Sequence, residues 1–300
     1  MKIKNKQGIK LFLFILPVLV WVVLFKYLPL WGWSYAFVKY RVGKDLLDCA
    51  WAGLENFKDL FGNAVMRQNL WRVLKNTFGI HFLGYLFTPL PMLFAVLLSE
   101  VRSTKFQKLV QTITTVPHFV SWVIMFSIVF CMFGYNGIVN VILRKNGMET
   151  INVLLSNKHV WLTQVLWQQW KNLGWNCIVY FAAIAGLDQG IYEAAMVDGA
   201  TKMQRIRYIT IPQLIPTYFV LLIMSIGNFL NTGVDQYLNF GNPLNKEYIE
   251  VLDLYVYNLG IGNGQIAYGV AAGVLKSLVA IVLFAAANIL SKKVRGSSVF

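Results

Sequence analysis

Acidic side chains are scarce in this chain: 13 Asp and Glu face 27 Lys and Arg in 300 residues, leaving a formal charge of +14. The basic residues are scattered among apolar segments and form no interleaved aromatic-basic patch, so no nucleic-acid partner is expected. The three cysteines, Cys49, Cys131 and Cys177, are an odd number with no close pair, which implies neither a disulfide framework nor a zinc site. The three histidines, His81, His118 and His159, lie far apart with no second ligand at metal spacing. No metal and no catalytic residue is therefore expected. A Gly-rich loop ending in Gly-Lys-Ser/Thr is missing, so the chain does not hydrolyse ATP by P-loop chemistry and is expected to bind no cofactor of its own. Internal repeats, low-complexity tracts and a soluble domain are absent too. Carboxylates within the apolar runs are nearly missing, which argues against a membrane-embedded glycan or lipid enzyme, since such a site gathers acids, bases or metal ligands at one interface.

What remains is a chain that is 57% hydrophobic and 13% charged, with 10 Trp and 21 Phe and a mean hydropathy of +0.56. These values lie outside the soluble range and predict an all-α polytopic membrane protein. A span needs about 20 apolar residues, so the length suits about six transmembrane helices in a single domain over residues 1–300. The runs fall at Leu11–Leu30, Val73–Leu98, Thr115–Phe133, Trp161–Gly186, Leu214–Leu230 and Tyr268–Leu290. Lys2, Lys4, Lys6 and Lys10 before the first run mimic a signal peptide, but bulky Trp21, Phe25, Trp31 and Trp33 occupy the cleavage region, so an uncleaved first helix is expected. A cytoplasmic N-terminus then places Arg102, Lys105 and Lys108, then Lys202, Arg205 and Arg207, and finally Lys292, Lys293 and Arg295 on the cytoplasmic side with the C-terminus. Residues 187–212 become a cytoplasmic loop, and about 32–72, 135–160 and 233–266 become outer segments. Anionic membrane lipids account for the remaining positive charge. Pro89, Pro91 and Pro117 are expected to kink spans, and Gly269 and Gly273 form a G-x-x-x-G suited to close helix packing.

Between the fourth and fifth runs stands Glu193-Ala194-Ala195-Met196-Val197-Asp198-Gly199-Ala200, followed by Ile206, Ile209, Ile211, Pro212 and Pro216. Small residues on a short helix, with a glycine at the bend, make a poor span and a good plug for a groove on another protein. The stretch resembles the EAA loop by which permease subunits of type I binding-protein-dependent ABC importers engage their ATPases. Ile206 stands where Phe is usual and Ile211 where Leu is usual, both remaining apolar. Further phrases resemble the polysaccharide branch of that family, distantly related to maltose permeases: Lys26-Tyr27-Leu28-Pro29, Gly53-Leu54-Glu55-Asn56-Phe57, Asn76-Thr77, Pro117-His118-Phe119-Val120-Ser121-Trp122, Gly233-Val234-Asp235-Gln236 and Asp253-Leu254-Tyr255-Val256-Tyr257. In the last phrase Leu254 and Asn258 depart from the family's Thr and Arg.

The resemblance implies a non-catalytic subunit of an ATP-driven carbohydrate importer in a bacterial plasma or inner membrane. Its expected partners are a second permease, two ATPases that bind the ATP and Mg, and an external or periplasmic solute-binding protein. Glu193, Ala194, Ala195, Asp198, Gly199, Ala200, Ile206, Ile209 and Pro212 are the coupling candidates, with Pro212 restarting a helix after the Gly199 reversal. The fourth run carries Gln168, Trp170, Lys171, Asn172, Trp175 and Asn176. Such polarity is costly against lipid but suits a glycan passage, where aromatics meet sugar C–H faces and amides meet hydroxyls. Asn228, Asn231 and Asp235 extend this set of pathway candidates. The alternative for the group is hydrogen bonding between helices, and for Lys171 snorkelling to an interface. Glu55, Asp253, Tyr255 and Tyr257 are candidates for binding-protein contact. A permease for peptides or another small solute would share the loop, so that reading stays open.

Overall fold

A run of apolar residues in lipid can satisfy its backbone only internally, so helices dominate. The computed structural model describes residues 2–295. In chain order the helices are α1 (Lys2–Val22), continued by a π-turn and a 3-10 stretch to Phe37, α2 (Glu55–Gly62), α3 (Ala64–Leu86), α4 (Leu90–Ser99), α5 (Thr104–Phe119), α6 (Trp122–Phe133), α7 (Ile138–Lys145), α8 (Val160–Ala185), α9 (Gln189–Val197), α10 (Lys202–Arg205), α11 (Ile211–Gly227), α12 (Asp235–Phe240), α13 (Lys246–Ile249), α14 (Leu252–Tyr257) and α15 (Ile266–Arg295). Among the described residues five stretches are long and apolar enough to cross a membrane: Gly8–Phe37, Ala64–Ser99, Trp122–Lys145, Lys202–Gly227 and Ile266–Ala286. With 26 residues α8 is long enough to be a sixth, and its amides and Lys171 are what make it less apolar than the others. The side chains of Lys2, Lys4, Lys6, Lys292, Lys293 and Arg295, used above for orientation, lie outside those described.

Two expected spans and one expected helix start are built differently. The run Val73–Leu98 is two helices, because Pro89 and Pro91 lack the N–H groups that would continue α3. The chain crosses this break on short i→i+3 bonds, Phe87 to Gly84 and Leu90 to Phe87, both 3.0 Å. The Tyr85 carbonyl, which would have faced the missing Pro89 N–H, accepts from the Thr88 hydroxyl at 2.8 Å and the Thr88 N–H at 3.2 Å. The run Thr115–Phe133 is likewise divided at the extended residues Val120 and Ser121, and Ser121 caps α6 by accepting from the Ile124 N–H. Pro212 does not restart a helix: α10 begins at Lys202 and passes through a π-turn at Ile206–Thr210 directly into α11. The wider π-turn accommodates the missing proline N–H without ending the helix.

Contacts group the chain into two bodies: the N-terminal segment to Gln68 with Val256–Ser277, and Asn69–Tyr255 with the segment from Leu278. In the first, the buried Asn56 amide donates to the Ala36 carbonyl at 2.8 Å and the Val38 carbonyl at 3.0 Å. Tyr268 donates to Asp59 at 3.0 Å. Gly269 is needed where it stands, since a Cβ there would lie 2.6 Å from the Gly260 Cα, whereas one at Gly273 would meet only Val256 at 3.8 Å. In the second body α8 is the shared axis. A Cβ on Gly174 would overlap the Thr114 backbone of α5, so these two helices pack backbone to backbone. Cys177 and Tyr180 join Met92, Val96, Ile206 and Leu214 in one apolar cluster, while Val165 joins Ile80, Val129, Phe240 and Ile249 in another.

Candidate functional site

Two features of the second body carry chemistry. The first is the loop around α9 and α10. Asp188 caps α9 by accepting from the Gly190 N–H at 2.9 Å. The helix closes with paired bonds from Gly199 N–H to the Met196 carbonyl (3.1 Å) and Ala200 N–H to the Ala195 carbonyl (2.9 Å). This terminus needs a left-handed residue after the cap, and Gly199 supplies it at φ 78°. Thr201 then caps α10 reciprocally, taking the Gln204 N–H while Gln204 Oε1 accepts from the Thr201 N–H at 2.7 Å. Lys202 ties the turn to the end of α4, donating to the Glu100 carbonyl at 2.6 Å and lying 3.4 Å from its carboxylate. Tyr192 and Thr210 share a 2.8 Å hydroxyl bond. The loop is thus braced as a rigid piece.

Of the coupling candidates, Glu193, Ala194, Asp198 and Gly199 are exposed, and neither Glu193 nor Asp198 is engaged by its side chain among the described residues. Ala195, Asp198, Gly199, Ala200 and Ile209 border an open notch of about 360 Å³. Pro212 is exposed, and Ile206 is buried in the apolar cluster with Met92 and Leu214, where it anchors the loop rather than presenting a surface. The most exposed apolar side chains here are Val197 (88%), Tyr208 (68%) and Met203 (67%). The sequence motif did not single them out, because it leaves their positions unspecified.

The second feature is a cavity of about 520 Å³ among α3, α4, α8, α11 and α12. Gln168, Asn172, Trp175 and Asn176 line it from α8, and Asn228 and Asn231 from the unwound end of α11. Trp170, Lys171 and Asp235 do not line it. Trp170 is about 200° around the helix from Gln168 at ~100° per residue. Lys171 is 8% exposed. Its ammonium closes the C-terminus of α5, donating to the Pro117 carbonyl at 3.0 Å, the His118 carbonyl at 2.7 Å and the Val120 carbonyl. A cation with three donors is well matched to the negative end of a helix. Asp235 is exposed at the start of α12.

Cavity-lining residues not foreseen include His81, Tyr85, Tyr218 and Tyr237. His81 and Tyr85 stand one turn apart on α3, a spacing visible in the sequence once that face is known to be wet. His81 Nδ1 lies 2.9 Å from the Thr77 carbonyl, which leaves Nε2 free to accept. Burial, aided by the Asp253 carboxylate, pushes the Tyr237 phenol far above its ordinary pKa, so it stays neutral. Behind the lining, His118 stacks on Trp175 with centroids 4.3 Å apart and planes 4° apart. Its Nδ1 also meets Asn172 Oδ1 at 2.9 Å.

The segment α12–α14 is fastened to α3 and α8 by polar contacts. Arg72 pairs with Glu250 at 2.5 Å, Asn76 donates to the Glu247 carbonyl at 2.8 Å, and Gln236 donates to the Gln164 carbonyl at 2.8 Å. Asp253 accepts from the Thr232 hydroxyl and the Gly233 N–H, each at 3.0 Å, holding the loop that precedes α12. Tyr255 is buried at 6% exposure. Glu55 forms an exposed 2.7 Å pair with Lys39, and Tyr257 is exposed. Among the four candidates for binding-protein contact, only Glu55 and Tyr257 are therefore surface side chains. Among the described residues no group of three His, Cys, Asp or Glu side chains is placed to hold a metal.

Membrane-length helices around a polar cavity, joined to a braced and exposed loop, define a membrane-embedded transport subunit. Residues 87–296 match the family described as the binding-protein-dependent transport system inner membrane component, and the chain belongs to that family. It is a non-catalytic permease component. It is 39% identical to Protein LplB of Bacillus subtilis over 94% of this chain and 88% of that protein. It is also 39% identical to the B. subtilis polygalacturonan/rhamnogalacturonan transport system permease protein YteP, over 97% of this chain and 90% of YteP. A crystal structure of a bacterial ABC transporter involved in import of the acidic polysaccharide alginate contains a chain with the same fold, at TM-score 0.86 and 32% identity over 97% of this chain and 98% of that one.

Proposed function

We propose that this chain is one of two permease subunits of an ATP-driven carbohydrate importer in a bacterial cell membrane. The observation that carries the substrate class is the cavity, where a stripe of amides on α8 runs beside Trp175 and faces tyrosines of α3 and α11. Sugars bury C–H faces on aromatic rings and exchange hydroxyl bonds with amides. Residues 187–212 form the cytoplasmic docking piece, with exposed Glu193 and Asp198 available to basic groups of an ATPase and Val197, Met203 and Tyr208 as its apolar contact. Both termini are cytoplasmic, and Glu55 and Tyr257 lie on the side that meets the solute-binding protein. The whole of residues 1–300 acts as one permease domain, so movement of the braced loop is passed to the helices of the cavity.

Purified complex in lipid nanodiscs, supplied with its binding protein, tests this reading. Oligosaccharide is expected to stimulate ATP hydrolysis. Stimulation by peptides and not by any sugar would replace it with the peptide-permease alternative.

A further inference from the structure

We propose that the cavity selects uncharged glycan segments over uronate-bearing ones. This rests on the carbohydrate reading above and deepens it. The polar side chains that reach the space are amides, phenols, hydroxyls, an indole and the His81 imidazole, set among apolar Ile80, Val179, Leu221 and Leu222; among the described residues that line it there is no Lys, Arg, Asp or Glu. Gln168, Asn172 and Asn176 follow one another at i, i+4 and i+8, so they set a ladder of amides along one face of α8, with paired donors and acceptors at Gln168 and Asn176 and a single N–H at Asn172. A ladder of that kind matches the mixed donor and acceptor character of sugar hydroxyls. A carboxylate accepts only, and would leave the amide oxygens of Gln168 and Asn176 unanswered.

The cation nearest in sequence is committed elsewhere. Lys171 lies between Trp170 and Asn172, yet its ammonium is held by the Pro117, His118 and Val120 carbonyls and lies over the Trp122 ring at 5.4 Å. Turning it to a ligand would strip the end of α5 of its cap. Arg72 on α3 is paired with the buried Glu250. The formal charge of +14 therefore does not translate into a cationic passage on this subunit. An ionised carboxylate drawn into such a site loses its hydration without gaining a countercharge, and the cost is larger the drier the site.

The arrangement of His118 keeps the ladder in register. With His118 Nδ1 against Asn172 Oδ1 (2.9 Å) and Asn172 Nδ2 donating to the Gln168 carbonyl at 3.0 Å, the Asn172 amide is fixed with one N–H left over. That residual group is a donor for a hydroxyl or ring oxygen, held beside the face of Trp175 that His118 backs.

The test uses the whole complex, purified from native membranes and placed in nanodiscs without binding protein, so that only the permeases discriminate. Diazirine-tagged neutral pentasaccharides, pooled from gluco-, xylo- and manno-oligomers, are photolysed on it and the label is mapped by mass spectrometry. Label is expected within residues 168–179. Untagged neutral pentasaccharides are expected to compete at concentrations at least about tenfold lower than pentagalacturonate, since one unpaired buried charge is worth a decade or more. Asn176→Lys, which adds a cation to the ladder, is expected to shrink or invert that ratio. Equal or better competition by pentagalacturonate in the unmodified complex overturns the selectivity while leaving a carbohydrate site. Absence of glycan label from the cavity overturns the carbohydrate reading and this inference with it.

Discussion

Replacing Lys171 by methionine separates two roles that the sequence leaves open. If Lys171 closes α5, its removal orphans carbonyls. The Pro117 carbonyl retains the Val120 N–H at 3.2 Å, so the His118 and Val120 carbonyls are the ones that lose the ammonium. A buried unsatisfied group costs about 1–3 kcal/mol, giving ~2–6 kcal/mol for the two. Methionine fills similar space and relieves the desolvation of a cation that is 8% exposed, which reduces the expected loss to about 2–4 kcal/mol. On the scale of a domain of this size that is a fall of roughly 5–12 °C in Tm. Cys177, fully buried two turns further along α8, offers the reporter. With Cys49 and Cys131 changed to serine, a thiol-reactive dye follows exposure of Cys177 on heating. Lys171→Met is expected to melt early, with KM for transport little changed in the surviving protein. A Tm within about 2 °C of the parent together with a raised KM would refute the capping argument and return Lys171 to the pathway.

Other outcomes follow from the same contacts. Gly199→Asp places a side chain in open space but at φ 78°, so strain of about 1–2 kcal/mol falls on the loop alone; membrane insertion should be normal and uptake abolished, measured by immunoblot and radiolabelled sugar. Trp175→Ala should raise the KM for transport several-fold because it removes a cavity wall, while Trp170→Ala, outside the lining, should keep the parental KM and rate. Arg72→Met leaves the buried Glu250 carboxylate without its guanidinium partner and should destabilise by about 3–5 kcal/mol, with Arg72→Met combined with Glu250→Met recovering most of the loss in the same melting assay.

Much of the fold was legible because lipid imposes a blunt code: long apolar runs become helices, and α8 announced an interior position through its amides. The breaks were harder. Pro89 ends α3 whereas Pro212 sits in an unbroken helix, and the difference lies in the π-turn at Ile206–Thr210, which local sequence does not specify. The division at Val120 depends on a lysine 51 residues away. In the loop at 187–212 the Gly199 turn was legible because it is local chemistry, while the Thr201 cap, equally local, was not singled out. The burial of Ile206 against α4 and α8 is a tertiary matter that its place in the motif did not reveal. On α8 the 168–172–176 period marks the wet face and excludes Trp170, yet the sequence alone could not reveal that Lys171 had a ring of carbonyls to turn toward.

The central claim is that this chain transmits ATP-driven movement through residues 187–212 as part of a larger assembly. Its most direct test is native mass spectrometry of the chain purified gently from its own membranes, with every associated polypeptide identified and counted. The account predicts one copy of this chain, one second permease and two ATPase copies, with the ATPases lost from the Gly199→Asp complex. Recovery of the folded chain alone would contradict it.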